Sequence, residues 1–371
     1  MHRGMVAARR RQERVSDALE RPSLRLGYGY QTWTTAVHLE RALRRRAHVS
    51  VTGPGHPTER NEHDASGPLL WVESGVPWVP DAEALTQTGA AAWLIDTHRG
   101  FRWRAQLARA FDLVFTAQRP AAERLRASGL HAEWLPLAAP RELCGPGADL
   151  AARPYDVGFV GQAPAGSFRA ELLDDLRRRG VSVAPTPGHM DPPDMMELYR
   201  SARVVVNVPL ADDLNMRSFE GPGARALLVT EPVPGLGDVL PTGSYVAVEQ
   251  RDVERWTAAV IDALHDSGAQ ARADAAYEHV ISQHTYDARA AIVVDRLSSI
   301  RSTVDPARAR AALAVAWARW GRADQIRALA LPWPVALQRR ADAVAWSAAT
   351  AVVRASRRFR PQSRRASPAS R

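Results

Sequence analysis

The sequence predicts an α/β protein of two Rossmann-like domains facing each other across a cleft, with a helical tail. Three observations predict it: the length, a repeating alternation of short apolar runs with amphipathic helical patterns, and a break in that rhythm near the middle. At 371 residues the chain is too long for one ordinary core. Two domains of roughly 130–150 residues and a tail are the natural division. The apolar fraction of 46% is that of a globular protein.

Residues 1–21 are polar and Arg-rich and are expected to be frayed or disordered. The rhythm then begins. Strands are expected at Leu24–Tyr28, His48–Thr52, Leu69–Glu73, Ala92–Asp96, Leu113–Thr116 and Glu133–Leu137. Helical patterns lie between them, such as Thr35–Arg46 with Val37, Leu39 and Leu43 on one side. Strands alternating with helices argue for a parallel sheet covered on both faces. The first domain is assigned to 22–150. Pro140–Pro154 contains Gly145, Pro146 and Gly147, has no periodicity, and reads as a linker.

The second domain is assigned to 151–300. Its strands are expected at Tyr155–Val160, Val181–Ala184, Ala202–Val208, Leu227–Thr230 and Tyr245–Val248. Helices are expected at Phe168–Arg179, Pro193–Ser201, Ser218–Ala224 and through Val253–Leu297. In open parallel sheets ligands bind beyond the carboxyl ends of the strands, so two such domains place those ends on opposite walls of one cleft. Residues 301–371 read as a basic helical extension. Asp305-Pro306 is a helix start, Gly321 a stop, and a second Ala-rich helix is expected from Val335 to about Arg357.

The net charge is +9 and every basic side chain other than histidine is arginine. The excess gathers around Arg9–Arg14 and Arg354–Arg371, which are either solvated ends or anion-attracting ones. No helix-turn-helix, zinc-ligand or RNA-recognition pattern accompanies it, so nucleic acid is not an expected partner. Cys144 is the only cysteine, which fits a reducing compartment. No apolar region comes after Arg9–Arg11, so a signal peptide is not expected. The apolar run Ala341–Val353 is interrupted by Asp342, Ser347 and Thr350 and is too short to span a bilayer. A cytoplasmic protein is expected. The last helix either packs on the body or touches the inner membrane face peripherally.

The segment Asn207–Thr230, NVPLADDLNMRSFEGPGARALLVT, is the most informative. It runs from a central strand through a polar loop into a helix. Asn207 sits at the strand end. Arg217, just before the helix, is placed to clamp a diphosphate bidentately, and the helix end offers free N–H groups to an anion. Glu220, in the first turn, either accepts two ribose hydroxyls or acts as a helix-end acid. His98 comes two residues after Asp96 at a strand's carboxyl end, where it either lines the cleft on the acceptor side or is structural. No D-x-D comes after a strand, so no catalytic metal is expected. The G-x-G-x-x-G fingerprint of a dehydrogenase is missing, and Gly27-Tyr28-Gly29-Tyr30 matches a phosphate loop only loosely.

These motifs resemble the two-domain GT-B glycosyltransferases, and more narrowly the CgeB-like (spore-maturation-protein-like) members. YDVGFVG at Tyr155–Gly161 is similar to their opening strand. Asn215, Arg217, Phe219 and Glu220 match an N-x-R-x-F-E core, and His284, Thr285, Tyr286 and Arg289 a closing H-T-Y-x-x-R. WVESG at Trp71–Gly75, FDLVFTAQ at Phe111–Gln118 and WLPLA at Trp134–Ala138 resemble the amino-terminal half. The resemblance implies a sugar transferred from a nucleotide-diphosphate donor, without metal or cofactor and with retention, to an unknown glycan, lipid or protein. It implies that Glu220 binds the donor ribose and Asp212 lies near the donor sugar. It places Arg217 and Arg169 at the diphosphate, with Gly161, Gln162, Asn207 and Asn215 around them. Two departures are present: Arg225 stands where the family has glycine, and Asp212 where it has glutamate. Both leave open a protein of this fold that binds a sugar nucleotide without turning it over.

Overall fold

The computed structural model describes residues 21–56, 67–186, 188–329 and 331–358. Met1 to Glu20 and the last thirteen residues lie outside it, so the expectation of a frayed amino terminus and of basic chain ends falls outside the described residues.

Two parallel sheets organise the chain, as the alternating pattern predicts. The first has six strands, β1 Ser23–Gly27, β2 His48–Thr52, β3 Leu69–Val72, β4 Ala90–Leu94, β5 Leu113–Thr116 and β6 Ala132–Trp134. Their order is β2-β1-β3-β4-β5-β6. The second has four, β7 Tyr155–Gly158, β8 Ala202–Asn207, β9 Leu227–Thr230 and β10 Val246–Ala247, in the order β10-β9-β8-β7. Alternate residues of each strand enter different cores. Leu70 and Val72 face one side of the first sheet, and Leu69 and Trp71 the other, all buried. Strands buried on both faces must read as continuous apolar runs, which is why they are visible in the sequence.

Several expected edges move. The strand expected at Glu133–Leu137 stops at Trp134, since Pro136 has no N–H for a ladder. Val181–Ala184 contributes only an isolated bridge, Val183 to Val157. The helical stretch after Val253 is three helices, Val253–His265, Ala269–Gln283 and Tyr286–Ser299.

The chain crosses between the sheets twice, at adjacent points. The Ala139 N–H donates to the His284 carbonyl at 2.9 Å and the Tyr286 N–H to the Ala139 carbonyl at 3.1 Å. Arg289 donates to the carbonyls of Pro136 at 2.7 Å and Leu137 at 3.0 Å, and to Nδ1 of His284 at 2.9 Å. Burial and the Arg289 charge push the His284 imidazole down to about 3, so it stays neutral and accepts that bond. The H-T-Y-x-x-R motif therefore fastens the crossover.

After it, the chain stays with the first sheet. Helix Tyr286–Ser299 packs against helix Thr35–Leu43. Helix Pro306–Arg319 buries Ala309, Leu313, Ala316 and Trp317 in the core beneath β3, β4 and β5. The tail covers a sheet face that would otherwise meet water. Helix Trp333–Arg358 packs on that helix through Ala343 and leaves Leu337, Val344 and Trp346 exposed. No helix among the described residues is long and apolar enough to cross a membrane.

Candidate functional site

β8 ends at Asn207, which is fully buried and organises the loop and helix beyond it. Its amide donates to Ser218 Oγ at 3.2 Å and Thr230 Oγ1 at 3.1 Å. Its carbonyl oxygen accepts from Asn215 at 3.0 Å and from Arg217 at 3.1 Å. A strand end, a loop and a helix start are thereby tied to one amide group.

Arg217 opens the helix Arg217–Gly223 and spends three nitrogens on the protein. Nε donates to the Tyr199 hydroxyl at 3.1 Å, one terminal nitrogen to Asn207, and the other to the Val160 carbonyl. Arg169 donates to the carbonyls of Val208 and Gln162. Both guanidinium groups lie over the Phe159 ring, Arg217 at 4.7 Å and Arg169 at 5.8 Å. Every one of these acceptors is neutral, and neither arginine forms a salt bridge among the described residues. Burial, then the Arg217 and Arg251 charges, push Arg169 down to about 10. The two cations sit side by side, donate only to neutral groups, and feel the Glu220 and Glu231 carboxylates without a direct ion pair, which leaves N–H groups for an anion.

Gly161 passes beside them with φ of +147°, and a Cβ there would lie 2.9 Å from an Arg217 nitrogen. Only glycine accommodates both the backbone and that approach. Gln162 is exposed, and its amide donates to the Gly188 carbonyl at 3.1 Å.

Glu220 is 5% exposed, and no hydrogen bond reaches its carboxylate from a described residue. Burial raises it to about 7, with Arg217 pulling the other way. It does not cap the helix. The helix has seven residues, and the N–H groups of Ser218, Phe219 and Glu220 are taken by the carbonyls of Asn215 and Met216. The expectation of free helix-end N–H groups is corrected accordingly: a tight turn uses them before any ligand arrives. The buried Oδ1 of Asn215 has no partner.

Arg225 has φ of +55°, the left-handed conformation that ends helices and favours glycine. Its side chain forms ion pairs with Asp274 and with Asp149, the latter at 3.1 Å. These hold it among the linker and helix Ala269–Gln283.

The facing wall is built from the carboxyl ends of β3, β4 and β5. Glu73 accepts a forked pair from Arg104, at 2.8 and 2.6 Å, and also the N–H groups of Ile95 and Asp96 at 3.0 and 3.2 Å. This fixes the turn that carries His98. Gln118 donates to the Ile95 carbonyl at 2.7 Å and to Asp213 Oδ1 at 2.9 Å. His98 Nδ1 is 3.6 Å from the same oxygen. Burial raises the Asp213 carboxyl above its usual range, and His98 and Gln118 hold it back. Asp212, by contrast, is exposed. Of the two neighbouring acids, Asp213 is the one that meets Gln118 and His98. Nothing in the sequence singles out Gln118 and Asp213, since inward and outward positions in an irregular loop obey no period. Among the described residues no three His, Cys, Asp or Glu side chains gather as metal ligands.

A family model described as glycosyl transferase-like matches residues 166–295, which include Arg169, Asn207, Asp213, Arg217 and Glu220. No curated protein matches the chain in sequence. Among solved structures, sucrose-phosphate synthase from Thermosynechococcus elongatus is similar at 12% identity and TM-score 0.52, over 74% of this chain and 98% of that one. An E. coli structure described as trehalose-6-phosphate bound with UDP-2-fluoro glucose is similar at 12% identity and TM-score 0.54, over 75% and 99%. HepE of Anabaena, in complex with UDP and glucose, is similar at 11% identity and TM-score 0.54, over 75% and 100%. At these identities the likeness is one of fold, and the fold is that of the GT-B glycosyltransferases.

Proposed function

We propose that this chain is a CgeB-like glycosyltransferase that takes a sugar from a nucleoside-diphosphate donor. The observation that carries the reading is the gathering, at the carboxyl end of β8, of a carboxylate that takes no hydrogen bond from a described residue and two arginines that donate only to neutral groups. The Glu220 carboxylate suits the two ribose hydroxyls, since each donates and the carboxylate lacks donors. Arg169 and Arg217 suit the diphosphate. Two of the five N–H groups of Arg217 remain beyond the three contacts it makes. Preorganised charge of this kind stabilises a leaving diphosphate as the bond to the anomeric carbon breaks. That reading needs no metal, and the family resemblance supports retention.

In the reaction, the acceptor hydroxyl oxygen replaces the phosphate oxygen on the anomeric carbon, entering on the face from which the diphosphate leaves so that the configuration is retained. The electron pair of the broken bond leaves with the nucleotide, and the hydroxyl proton passes to Asp213. We assign that role to Asp213 instead of Asp212 because it meets His98 and Gln118 across the cleft. Its raised affinity for a proton fits a general base.

Calorimetric titration with UDP, GDP, TDP, ADP and CDP tests the donor site. One nucleotide is expected to bind, and failure of all five would remove the reading. With the matching donor sugar, Asp213→Asn is expected to keep nucleotide affinity and lower turnover roughly 100-fold or more. Turnover within about threefold of the wild type would take Asp213 out of the mechanism.

A further inference from the structure

A second pocket, of about 860 Å³, lies on the first domain between helix Phe101–Leu107 and helix Trp333–Arg358. Its size is that of a small-molecule site. Phe101, Trp103 and Trp346 give it aromatic walls, and Arg99, Arg102, Arg124 and Arg319 surround them. The Arg124 guanidinium stacks 3.7 Å over Phe101, and that of Arg319 stacks 3.8 Å over Trp346. Stacking fixes the plane of each group and leaves its in-plane N–H groups to donate. None of these four arginines pairs with a carboxylate among the described residues, whereas Arg339 nearby is paired with Asp342 at 3.3 Å. Burial first, and then the Arg104 charge, push Arg319 down.

The occupant must satisfy both features. A free phosphate leaves the aromatic walls in water, and a neutral hydrocarbon leaves the N–H groups of the rim arginines to water alone. A hydrocarbon chain ending in phosphate answers both. The neighbouring surface points the same way: on the same helix Leu337 is 52% and Val344 64% exposed, beside the basic rim. An apolar face flanked by arginine is the pattern of a helix lying at an interface.

We infer that this pocket binds a phosphorylated lipid at a membrane surface, its chain against Phe101, Trp103 and Trp346 and its phosphate among the arginines. The site abuts the cleft. Arg99 is the chain neighbour of His98, and its charge is felt at Asp213. On the transferase reading, a lipid held here presents its head group as the acceptor.

The test is co-sedimentation of the full chain with vesicles of phosphatidylcholine, alone or mixed with phosphatidylglycerol. Binding is expected to the mixed vesicles and not to the neutral ones. Because the whole chain is basic, charge alone is controlled for by comparing Arg102→Glu/Arg124→Glu with Arg177→Glu/Arg178→Glu, the same charge change on an exposed helix of the second domain. The pocket pair is expected to lose at least roughly tenfold more affinity than the control pair. Trp346→Ala, which keeps the charge, is expected to lose binding also. Equal losses in the two double variants, unchanged binding by Trp346→Ala, or equal binding to neutral vesicles would each overturn the lipid site. Nucleotide titration of the same variants separates the two ideas. A wild-type chain that binds vesicles but no nucleotide loses the transferase reading and keeps the lipid site.

Discussion

Glu220→Gln is expected to make the ligand-free protein more stable at about pH 8 while weakening nucleotide binding roughly 50-fold. The carboxyl is raised from its ordinary 4.5 to about 7, first by burial. The folded state therefore holds that proton more tightly than the unfolded chain. Below about pH 4.5 both states carry it and there is no cost. As pH rises to about 7 the folded state loses stability progressively, by about 3 kcal/mol in all. The amide has no charge to desolvate, so denaturant unfolding of the variant is expected to lack this decline. Binding moves the opposite way. Two ribose hydroxyls donating to the ionised carboxylate each contribute about 1–2 kcal/mol more than they would to an amide. Nucleotide affinity of the wild type is thus expected to rise with pH up to about 7, with a proton released on binding, visible as a buffer-dependent heat. A variant that is no more stable at alkaline pH and binds nucleotide as the wild type does would dismiss Glu220 from the site.

Arg217→Met is expected to cost about 3–4 kcal/mol of stability and to abolish nucleotide binding. The loss is larger than for a surface arginine because the partners left behind are buried. Tyr199 and Asn207 are fully buried, and the Val160 carbonyl loses its donor. Arg217 also opposes the upward shift of Glu220, so the variant's carboxyl should titrate at still higher pH. Arg217→Lys separates the two roles. It restores a positive charge and part of the Glu220 titration, but one ammonium cannot reach three acceptors in a forked arrangement. A stability loss below about 1 kcal/mol in the methionine variant would show that the three contacts do not hold the site together.

The sheets are legible because buried parallel strands write themselves as unbroken apolar runs, as in LLWV at β3. The site is legible in part, since Asn207, Arg217 and Glu220 share one short segment and chemical logic singles them out. The contacts of Arg217 are not legible. Its partners come from β8, from the loop after β7 and from helix Pro192–Arg200, and no local pattern links these. The choice between Asp212 and Asp213 is also closed to the sequence, because loop side chains have no fixed alternation. Arg225 reads in the sequence as a departure from the family's glycine, but its left-handed backbone and its pairs with Asp149 and Asp274 make it the residue that ends the helix. The packing of Pro306–Arg319 beneath the first sheet is a long-range event, and an Ala-rich helix carries no mark of which sheet it will cover.

The two crossings at Ala139 and Thr285 have a consequence for how the molecule is divided. Since the chain leaves the first sheet and rejoins it at neighbouring residues, everything between is a cassette spliced into a host whose own ends lie on either side of the splice. A cassette with both ends at one doorway can be exchanged for another without rerouting the host. The wall that carries Glu220 and the two arginines enters and leaves the host by that doorway, and it packs on the host through one shared core.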